Sequence, residues 1–207
     1  MAVFDPNEEY ILEDEMTLLR PLTKDDHVNL LHFSLNEPEI WKYSLIPAIG
    51  DEGLKNYIDA ALKARTAGTE YPFIVFDKRT QQYAGSTRFY DIQLNNSSLQ
   101  LGYTWYGKDF QGTRLNKHCK LLLLRLAFED FGLMRVEFRA DNNNARSIAA
   151  MKSIGCVKEG ILRSHVPTAT GTRRNSIILS ILKSEWENGV KEKLQQQCYN
   201  HNQSLQK

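Results

Sequence analysis

The stretch from Leu99 to Gly132 contains the residues with the clearest capacity for chemistry. Leu99–Tyr106 is rich in β-forming residues, and residues 107–116 contain glycines and short polar groups that favour a turn into a helix. Apolar side chains then recur at helical spacing from Leu115 to Phe131, and Gly132 ends the helix. The free backbone N–H groups at such a helix start form a site for phosphate or pyrophosphate.

The charges along this predicted helix run opposite to the usual order, in which acidic groups lie near the N-terminus and basic groups near the C-terminus. Basic residues lie near its start and acidic residues at its end: Arg114, Lys117, His118, Lys120, Glu129 and Asp130. Each misplaced charge should destabilise the helix by roughly a few tenths of a kcal/mol, and a bound anion would reverse that sign. A solvated basic turn without a ligand explains the same pattern, so both interpretations stay open.

Three further polar residues have types suited to binding or proton transfer. Asn144 precedes a short predicted helix, where asparagine is a good N-cap, and Ser147 lies in the first turn of that helix. His165 lies near the end of the following predicted strand and has the pKa range of a general base. A lone histidine at a strand end is more often structural or solvated, so this role is a hypothesis.

Composition excludes several classes of protein. The length of 207 residues suits one large domain or two small ones, and a net charge of +1 argues against nucleic acid as the main partner. The sequence has no apolar run that could span a membrane, and its acidic start does not resemble a secretory signal. Three widely spaced cysteines, Cys119, Cys156 and Cys198, argue against a disulfide framework and a metal site. We therefore expect a cytoplasmic protein.

The hydrophobic patterns predict the element order β α α β β β α β α β β, which corresponds to an α/β sandwich with a mixed sheet. A capping pattern at Thr23 and Asp26 starts the first helix, and Asp51 caps the second. Strands are predicted at Met16–Leu22, Tyr71–Phe76, Tyr83–Ile92, Leu99–Tyr106, Met134–Ala140, Val157–Val166 and Asn175–Leu182. Residues 1–15 are predicted to be a loose acidic arm, 16–190 a single domain, and 191–207 a polar tail that is frayed or disordered beyond Leu194.

Three segments resemble the GCN5-related N-acetyltransferase (GNAT) superfamily, and most closely its RimJ/RimL-like branch of ribosomal-protein N-terminal acetyltransferases. The resemblance covers roughly Thr17 to Trp186. The first segment, Gln111–Asn116, is similar to the pyrophosphate loop for acetyl-CoA, Gln/Arg-x-x-Gly-x-Gly/Ala, although Arg114 and Asn116 replace the usual glycines. The resemblance implies an α/β fold with a mixed, mostly antiparallel central sheet of about seven strands flanked by helices.

The other two segments resemble the parts of the family that surround the pantetheine arm and the thioester. Asp141-x-x-Asn144-x-x-Ser147 resembles the family stretch in which the asparagine contacts the pantetheine arm and the serine lies near the thioester sulfur. Met151 stands where many members have the tyrosine that protonates the thiolate. The strand Gln100–Trp105 resembles the one that splays from its neighbour and pairs with pantetheine, and Gln100 replaces the family's frequent basic glutamate. A glutamine cannot accept a proton at neutral pH, so the base is unassigned.

The resemblance implies an acetyl-CoA-dependent N-acetyltransferase in which a primary amine attacks the thioester directly, in a ternary complex and without a metal. The acceptor is a protein N-terminus or a small-molecule amine, and a homodimer is expected. The resemblance implies Ser147 as a catalytic residue, and His165 is the candidate base from its pKa range and its position at a strand end. The implied acetyl-CoA-binding residues are Tyr103, Thr104, Trp105, Gln111, Gly112, Thr113, Arg114, Leu115, Asn116, Asn144 and Ser147.

Two alternatives come from other classes of protein. A non-catalytic acyl-CoA-binding module would explain Gln100 and Met151, which replace the family's base and acid. A P-loop nucleotide-binding protein is a weaker alternative, because Gly-x-x-x-x-Gly-Lys-Ser/Thr is absent. Trp41 and Tyr43 could line an acceptor pocket or simply anchor a surface loop. Arg173 and Arg174 are expected to be solvated, with contact to the substrate or to the 3′-phosphate as the alternative.

Overall fold

One eight-stranded sheet runs through the computed structural model, which describes residues 2–168 and 171–199. The strands lie in the spatial order β1-β2-β3-β4-β5-β6-β8-β7. They are β1 (Leu12–Glu13), β2 (Thr17–Pro21), β3 (Tyr71–Asp77), β4 (Gln82–Gln93), β5 (Ser98–Tyr106), β6 (Arg135–Asp141), β7 (Val157–Pro167) and β8 (Arg173–Leu182). The helices are α1 (His27–Asn36), α2 (Gly50–Thr66), α3 (Leu115–Arg125), α4 (Ala145–Ser153), α5 (Lys183–Glu185) and α6 (Lys191–Tyr199).

The predicted mixed, mostly antiparallel sheet is confirmed. Strands β2 to β5 pair antiparallel in chain order, which includes the expected meander of β3, β4 and β5. The strand–helix–strand crossover through α3 brings β6 parallel to β5. The described sheet has one strand more than the expected seven, because the two-residue strand β1 pairs with β2. Its brevity and weak β-forming sequence explain why sequence patterns did not indicate it.

Strands β5 and β6 separate soon after they meet. Their parallel pairing covers three residue pairs and ends at Gln100 opposite Glu137. Beyond that point β5 pairs with β4 alone, while the rest of β6 pairs with β8. A wedge therefore opens in the middle of the sheet, as the resemblance implied.

A β-bulge lies in β5 at the mouth of this wedge. Ser86 pairs with Trp105 and Arg88 pairs with Gly102, so Tyr103 and Thr104 together occupy the place opposite one residue of β4. Tyr103 adopts a φ of +47°, which is uncommon for a residue other than glycine. Bulges of this kind bend the strand and redirect side chains.

Both ends of the described chain pack against the domain, contrary to our expectations of a loose arm and a tail frayed beyond Leu194. The Val3 N–H donates to the Phe131 carbonyl at 3.0 Å, and the Tyr71 hydroxyl donates to the Glu8 carbonyl at 2.6 Å. Helix α6 buries Leu194 and Cys198. The few apolar residues between the charged and polar ones are enough to anchor both segments, and the mainly acidic or glutamine-rich composition gave no indication of this packing. Residues 200–207 of the predicted tail lie outside the described residues. The division of the chain at residues 15 and 190 stays a prediction.

Helix starts differ slightly from the predicted caps. Helix α1 follows a 3₁₀ turn at Lys24–Asp26, and the Thr23 N–H donates to the Asp26 carboxylate at 2.8 Å. Helix α2 begins at Gly50, so Asp51 lies in its first turn rather than at its cap. An acid in that turn still interacts favourably with the helix dipole.

Gly107 is required where β5 ends and the loop towards α3 begins. A Cβ at this position would lie 2.1 Å from Cε1 of Phe33 on α1. Phe33 is itself packed edge-on against Trp105, with 5.8 Å between ring centroids. The absence of a side chain at Gly107 therefore lets α1 and the end of β5 pack together.

Gly107→Ala should lower the free energy of unfolding by about 1–3 kcal/mol, because the added methyl group must displace the Phe33 ring. Gly160→Ala is the matched control, since a Cβ there meets no atom within 4 Å. The measurement is urea unfolding of both variants followed by tryptophan fluorescence. Equal stability of the two variants would contradict the packing argument.

Candidate functional site

The side chains at the bulge point to different sides of the sheet. The Tyr103 ring lies edge-on to Tyr90, with 5.0 Å between centroids. The Thr104 hydroxyl is 2.7 Å from the Thr87 hydroxyl, on the side of α3. Trp105 is buried in the core, where its ring lies 4.8 Å from that of Trp41. Since protein contacts occupy the Thr104 and Trp105 side chains, these residues can reach a ligand chiefly through their backbone.

The loop before α3 presents free backbone donors. Within the described residues, the N–H groups of Gly112, Thr113, Arg114 and Asn116 have no hydrogen-bond acceptor, whereas Leu115 N–H donates to the Thr113 hydroxyl at 3.3 Å. Gly112 has a φ of +74°, and its open surroundings leave room for a group close to the backbone. Helix N-termini with free N–H groups bind anions, so this loop fits a phosphate or pyrophosphate.

The side chains that replace the family's glycines point away from these donors. The Arg114 guanidinium donates to the Cys198 carbonyl on α6 at 3.3 Å. The Asn116 amide oxygen accepts from the Tyr106 hydroxyl at 3.3 Å. The Arg114 side chain is thus directed towards α6 and away from the free donors of the loop.

The reversed charge order of α3 has a structural explanation that needs no anion. His118 is buried and its Nδ1 lies 2.6 Å from the Asp14 carboxylate. Burial raises the pKa of Asp14, but hydrogen bonds from His118, Met16 and Thr17 outweigh that effect and lower it. Lys120 faces the sheet rather than solvent. The charge pattern therefore provides no evidence for a bound anion, and the anion hypothesis depends on the free N–H groups.

Lys120 is a buried cation whose partners are hydroxyl groups. Its Nζ donates to Thr104 Oγ1 at 2.8 Å and to Thr87 Oγ1 at 3.4 Å. Burial lowers the pKa of this lysine to about 8. Sequence reasoning missed its role, although a lysine within a run of leucines on a helix buried on nearly all sides is itself a signal.

The start of α4 lies next to the loop before α3. The Arg146 guanidinium donates to the Gln111 side-chain oxygen, and the Gln111 amide donates to the Tyr106 carbonyl at 2.7 Å. Asn144 caps α4, because its side chain accepts from the Ser147 N–H at 3.1 Å. The capping role of Asn144 is thus confirmed, and these contacts bring two predicted segments together.

His165 lies on β7, away from any carboxylate contact in the described part of the chain. Its Nδ1 is 3.0 Å from the Ser176 hydroxyl. Burial lowers the pKa of His165, and the nearby charges of Arg139, Arg174 and Arg173 lower it further. Both effects favour the neutral form of the ring, which is the form that can accept a proton.

Met151 and Gln100, which stand at the positions of the family's usual acid and base, have structural roles in this chain. Gln100 is buried, and its amide donates to the Asp91 carboxylate at 2.6 Å. Met151 packs in the hydrophobic core. Neither residue handles a proton. Sequence reasoning also missed Arg88, a buried residue of β4 beside Tyr103, because nothing in a strand pattern marks one arginine as buried.

Among the described residues, no three histidine, cysteine, aspartate or glutamate side chains are grouped so as to hold a metal ion. In the same part of the chain, no helix combines the length and apolar character needed to cross a bilayer.

Comparisons with known proteins agree with the geometry. The sequence profile of the acetyltransferase (GNAT) domain matches residues 17–157. A curated relative from Bacillus licheniformis, described as uncharacterized N-acetyltransferase p20, is 26% identical over 183 residues, which cover 86% of this chain and 98% of the relative. A solved structure from T. thermophilus, whose acetyltransferase assignment is provisional, is 28% identical with a TM-score of 0.84 and covers 96% of this chain and 100% of its own.

One structural neighbour bears on the branch of the family. The ribosomal-protein-S5-alanine acetyltransferase from Vibrio fischeri has 18% identity and a TM-score of 0.66, with coverage of 86% of this chain and 98% of its own. At this identity the likeness concerns the fold.

The burial of Lys120 predicts a specific dependence of stability on pH. Its folded-state pKa of about 8 lies below the ordinary lysine value of 10.5, so between these values the unfolded chain binds a proton that the folded chain has lost. Stability from this group therefore rises with pH across that window, by about 3 kcal/mol in total. Relative to Lys120→Met, the wild type should gain that amount in free energy of unfolding between pH 7 and 10.5.

Denaturant unfolding of both proteins across this pH range measures the difference, in which the titrations of shared tyrosines and cysteines cancel. Lys117→Met, on the same helix, should leave the pH dependence unchanged. Parallel curves for wild type and Lys120→Met would show that burial does not control this lysine.

Proposed function

Because the chain belongs to the GNAT acetyltransferase family, we propose that it transfers the acetyl group of acetyl-CoA to a primary amine by direct attack in a ternary complex. In this reaction the amine nitrogen forms a bond to the acetyl carbon and the carbon–sulfur bond breaks. The nitrogen loses one proton, and the thiolate of CoA gains one. No acyl-enzyme is formed, so the protein acts by alignment and by polarising the thioester carbonyl.

The observation that carries this proposal is the wedge between β5 and β6, next to the free donors before α3. Beyond Gln100 no residue of β6 pairs with β5, so the backbone of Tyr103–Trp105 is available to a partner in the wedge. The loop Gln111–Asn116 begins directly after β5, and Arg146 links that loop to α4. We propose that the pyrophosphate binds the loop and the pantetheine arm lies along β5, near Asn144.

Proton transfer is the part of the reaction for which the chain offers fewest groups. The proposed participants are Ser147, near the leaving sulfur, and His165, as a candidate base. Gln100 and Met151 cannot take the family's usual roles. Water therefore remains a proton acceptor in our proposal, because a deprotonated amine needs only a solvent path to release its last proton after attack.

The acceptor proposed is a protein N-terminus or a small-molecule amine. The likeness in fold to a ribosomal-protein acetyltransferase supports our proposal that the chain belongs to the RimJ/RimL-like branch. The cytoplasmic compartment and the homodimer stay predictions.

Release of CoA thiol from acetyl-CoA, followed over a panel of primary amines, tests the activity. We expect amine-dependent thiol release together with an increase in melting temperature at millimolar acetyl-CoA, since a ligand that binds the folded state stabilises it. A thermal shift without thiol release for any amine would favour the non-catalytic acyl-CoA-binding module. Absence of both responses would contradict acetyl-CoA as the substrate.

The pH profile of His165→Ala tests the base. We expect it to overlap that of the wild type, because Ser176 engages His165 Nδ1 and no described carboxylate orients the ring. Both rates should rise with pH as the acceptor amine loses its proton. A step below pH 6.5 that is present only in the wild type would instead identify His165 as the base, since its pKa is lowered from 6.5.

A further inference from the structure

Arg88 is held between aromatic rings on the side of the sheet that faces α2. Its side chain is 3% exposed, and Nη1 donates to the Glu70 carboxylate at 2.6 Å. Cζ of Arg88 lies 4.2 Å from the centroid of the Tyr103 ring and 4.8 Å from that of Tyr57. These contacts orient the guanidinium and satisfy one of its edges.

The opposite edge of this guanidinium makes no geometrically complete hydrogen bond to a described residue, although the Tyr57 hydroxyl lies close enough to interact with Arg88. Within the described residues, neither Nε nor Nη2 of Arg88 completes a hydrogen bond, and the buried Tyr57 hydroxyl also makes none. Nε–H and Nη2–H point in the same direction and form the side-on fork that matches the two oxygens of a carboxylate. A buried charged donor without an acceptor is destabilising, so this edge is suited to an external oxygen ligand.

Arg88 itself lies at the mouth of the wedge, packed against the Tyr103 ring. Tyr103, which covers Arg88, is the half-buried bulge residue at the point where β5 leaves β6. Burial raises the pKa of Tyr103, as does Glu70, while the charges of Arg88 and Arg174 act in the opposite direction. Arg174, on β8, therefore acts electrostatically on the same ring.

Arg174 is a second cation without a direct ion pair in the described part of the chain. Its Nε donates to the Ser176 hydroxyl at 2.9 Å, and it is half-buried. Asp141 acts on Arg174 electrostatically from beyond ion-pair distance. The neighbouring Arg139 is neutralised by Glu137 at 2.6 Å, so Arg174 is the more available of the two.

We propose that Arg88 binds a carboxylate of the acceptor, so that the substrate is a small amine that carries a carboxylate, as an α-amino acid does; this rests on the proposed acetyl transfer. The planar, two-oxygen carboxylate matches the free fork, whereas a dianionic phosphate would meet stronger repulsion from Glu70 on the adjacent edge. Arg174 provides a second positive charge on the other side of the wedge, which also favours an acceptor that carries a negative charge. Arg88 is thus a residue that determines substrate specificity.

Matched pairs of acceptors test this assignment: tyrosine against tyramine, and histidine against histamine. The wild type should acetylate the carboxylate-bearing member of a pair with a kcat/KM at least about 10-fold higher, as expected for charge-assisted hydrogen bonds. Arg88→Lys keeps the charge but removes the fork. It should lower kcat/KM for the carboxylate-bearing acceptor by about 10- to 100-fold, mainly through KM, and change that for the decarboxylated amine far less.

Arg20→Lys is the matched control, because both terminal nitrogens of Arg20 already bond Asp26, and Arg20 lies on β2, two strands away from Arg88 on β4. It should leave the selectivity unchanged. The wild-type ratio alone decides the proposal if Arg88→Lys fails to fold. Equal rates for both members of each pair, or a preference for peptides with a free N-terminus over amino acids, would overturn the carboxylate assignment and leave acetyl transfer intact. Absence of transfer to every amine would overturn both proposals.

Discussion

The short parallel contact between β5 and β6 is the constraint on which the rest of the site depends. Pairing stops at Gln100, and the bulge at Tyr103 turns the remainder of β5 away from its neighbour. The facing strand is adapted to this geometry, because a Cβ on Gly85 would lie 2.1 Å from the Trp105 carbonyl oxygen. The unpaired backbone of β5 is therefore built into the sheet, and the elements on both sides of the sheet are arranged around it.

Two buried cations of different chemistry lie on opposite sides of the bulge, and each contacts one of its two residues. Thr104 faces Lys120, whose partners are neutral hydroxyls, so burial is uncompensated and its pKa falls to about 8. Tyr103 faces Arg88, which has an ion pair with Glu70 and two aromatic neighbours. A lysine in this position can relieve its burial by losing a proton, whereas an arginine stays charged and must find acceptors. That difference is why the edge of Arg88 that completes no hydrogen bond among the described residues, and not Lys120, suggests a ligand.

Sequence patterns predicted the fold well, whereas they did not indicate the environments of several buried polar side chains. Alternating apolar residues identified seven of the strands, and glycines after Phe131 and Ile154 marked helix ends correctly. Strand β1 was missed because two residues carry no periodicity. The side-chain environments of Arg88, Lys120 and Asp14 depend on contacts between residues far apart in the chain, such as His118 with Asp14 across 104 positions. No local pattern contains that information.

The basic start of α3 shows how such a distant contact changes the meaning of a local signal. A charge at the unfavourable end of a helix is worth a few tenths of a kcal/mol, roughly, whereas a hydrogen bond to a charged group contributes about 1.5–3 kcal/mol. The buried contact of His118 with Asp14 is therefore large enough to outweigh the helix dipole without any ligand. What remains in favour of an anion is the backbone: free N–H groups at Gly112, Thr113 and Arg114, beside an open glycine. An anion site of this kind depends on main-chain geometry. It therefore tolerates arginine and asparagine at the glycine positions of the family when their side chains point away from the loop. The side chains of Arg114 and Asn116 do so, because they bond the Cys198 carbonyl and the Tyr106 hydroxyl.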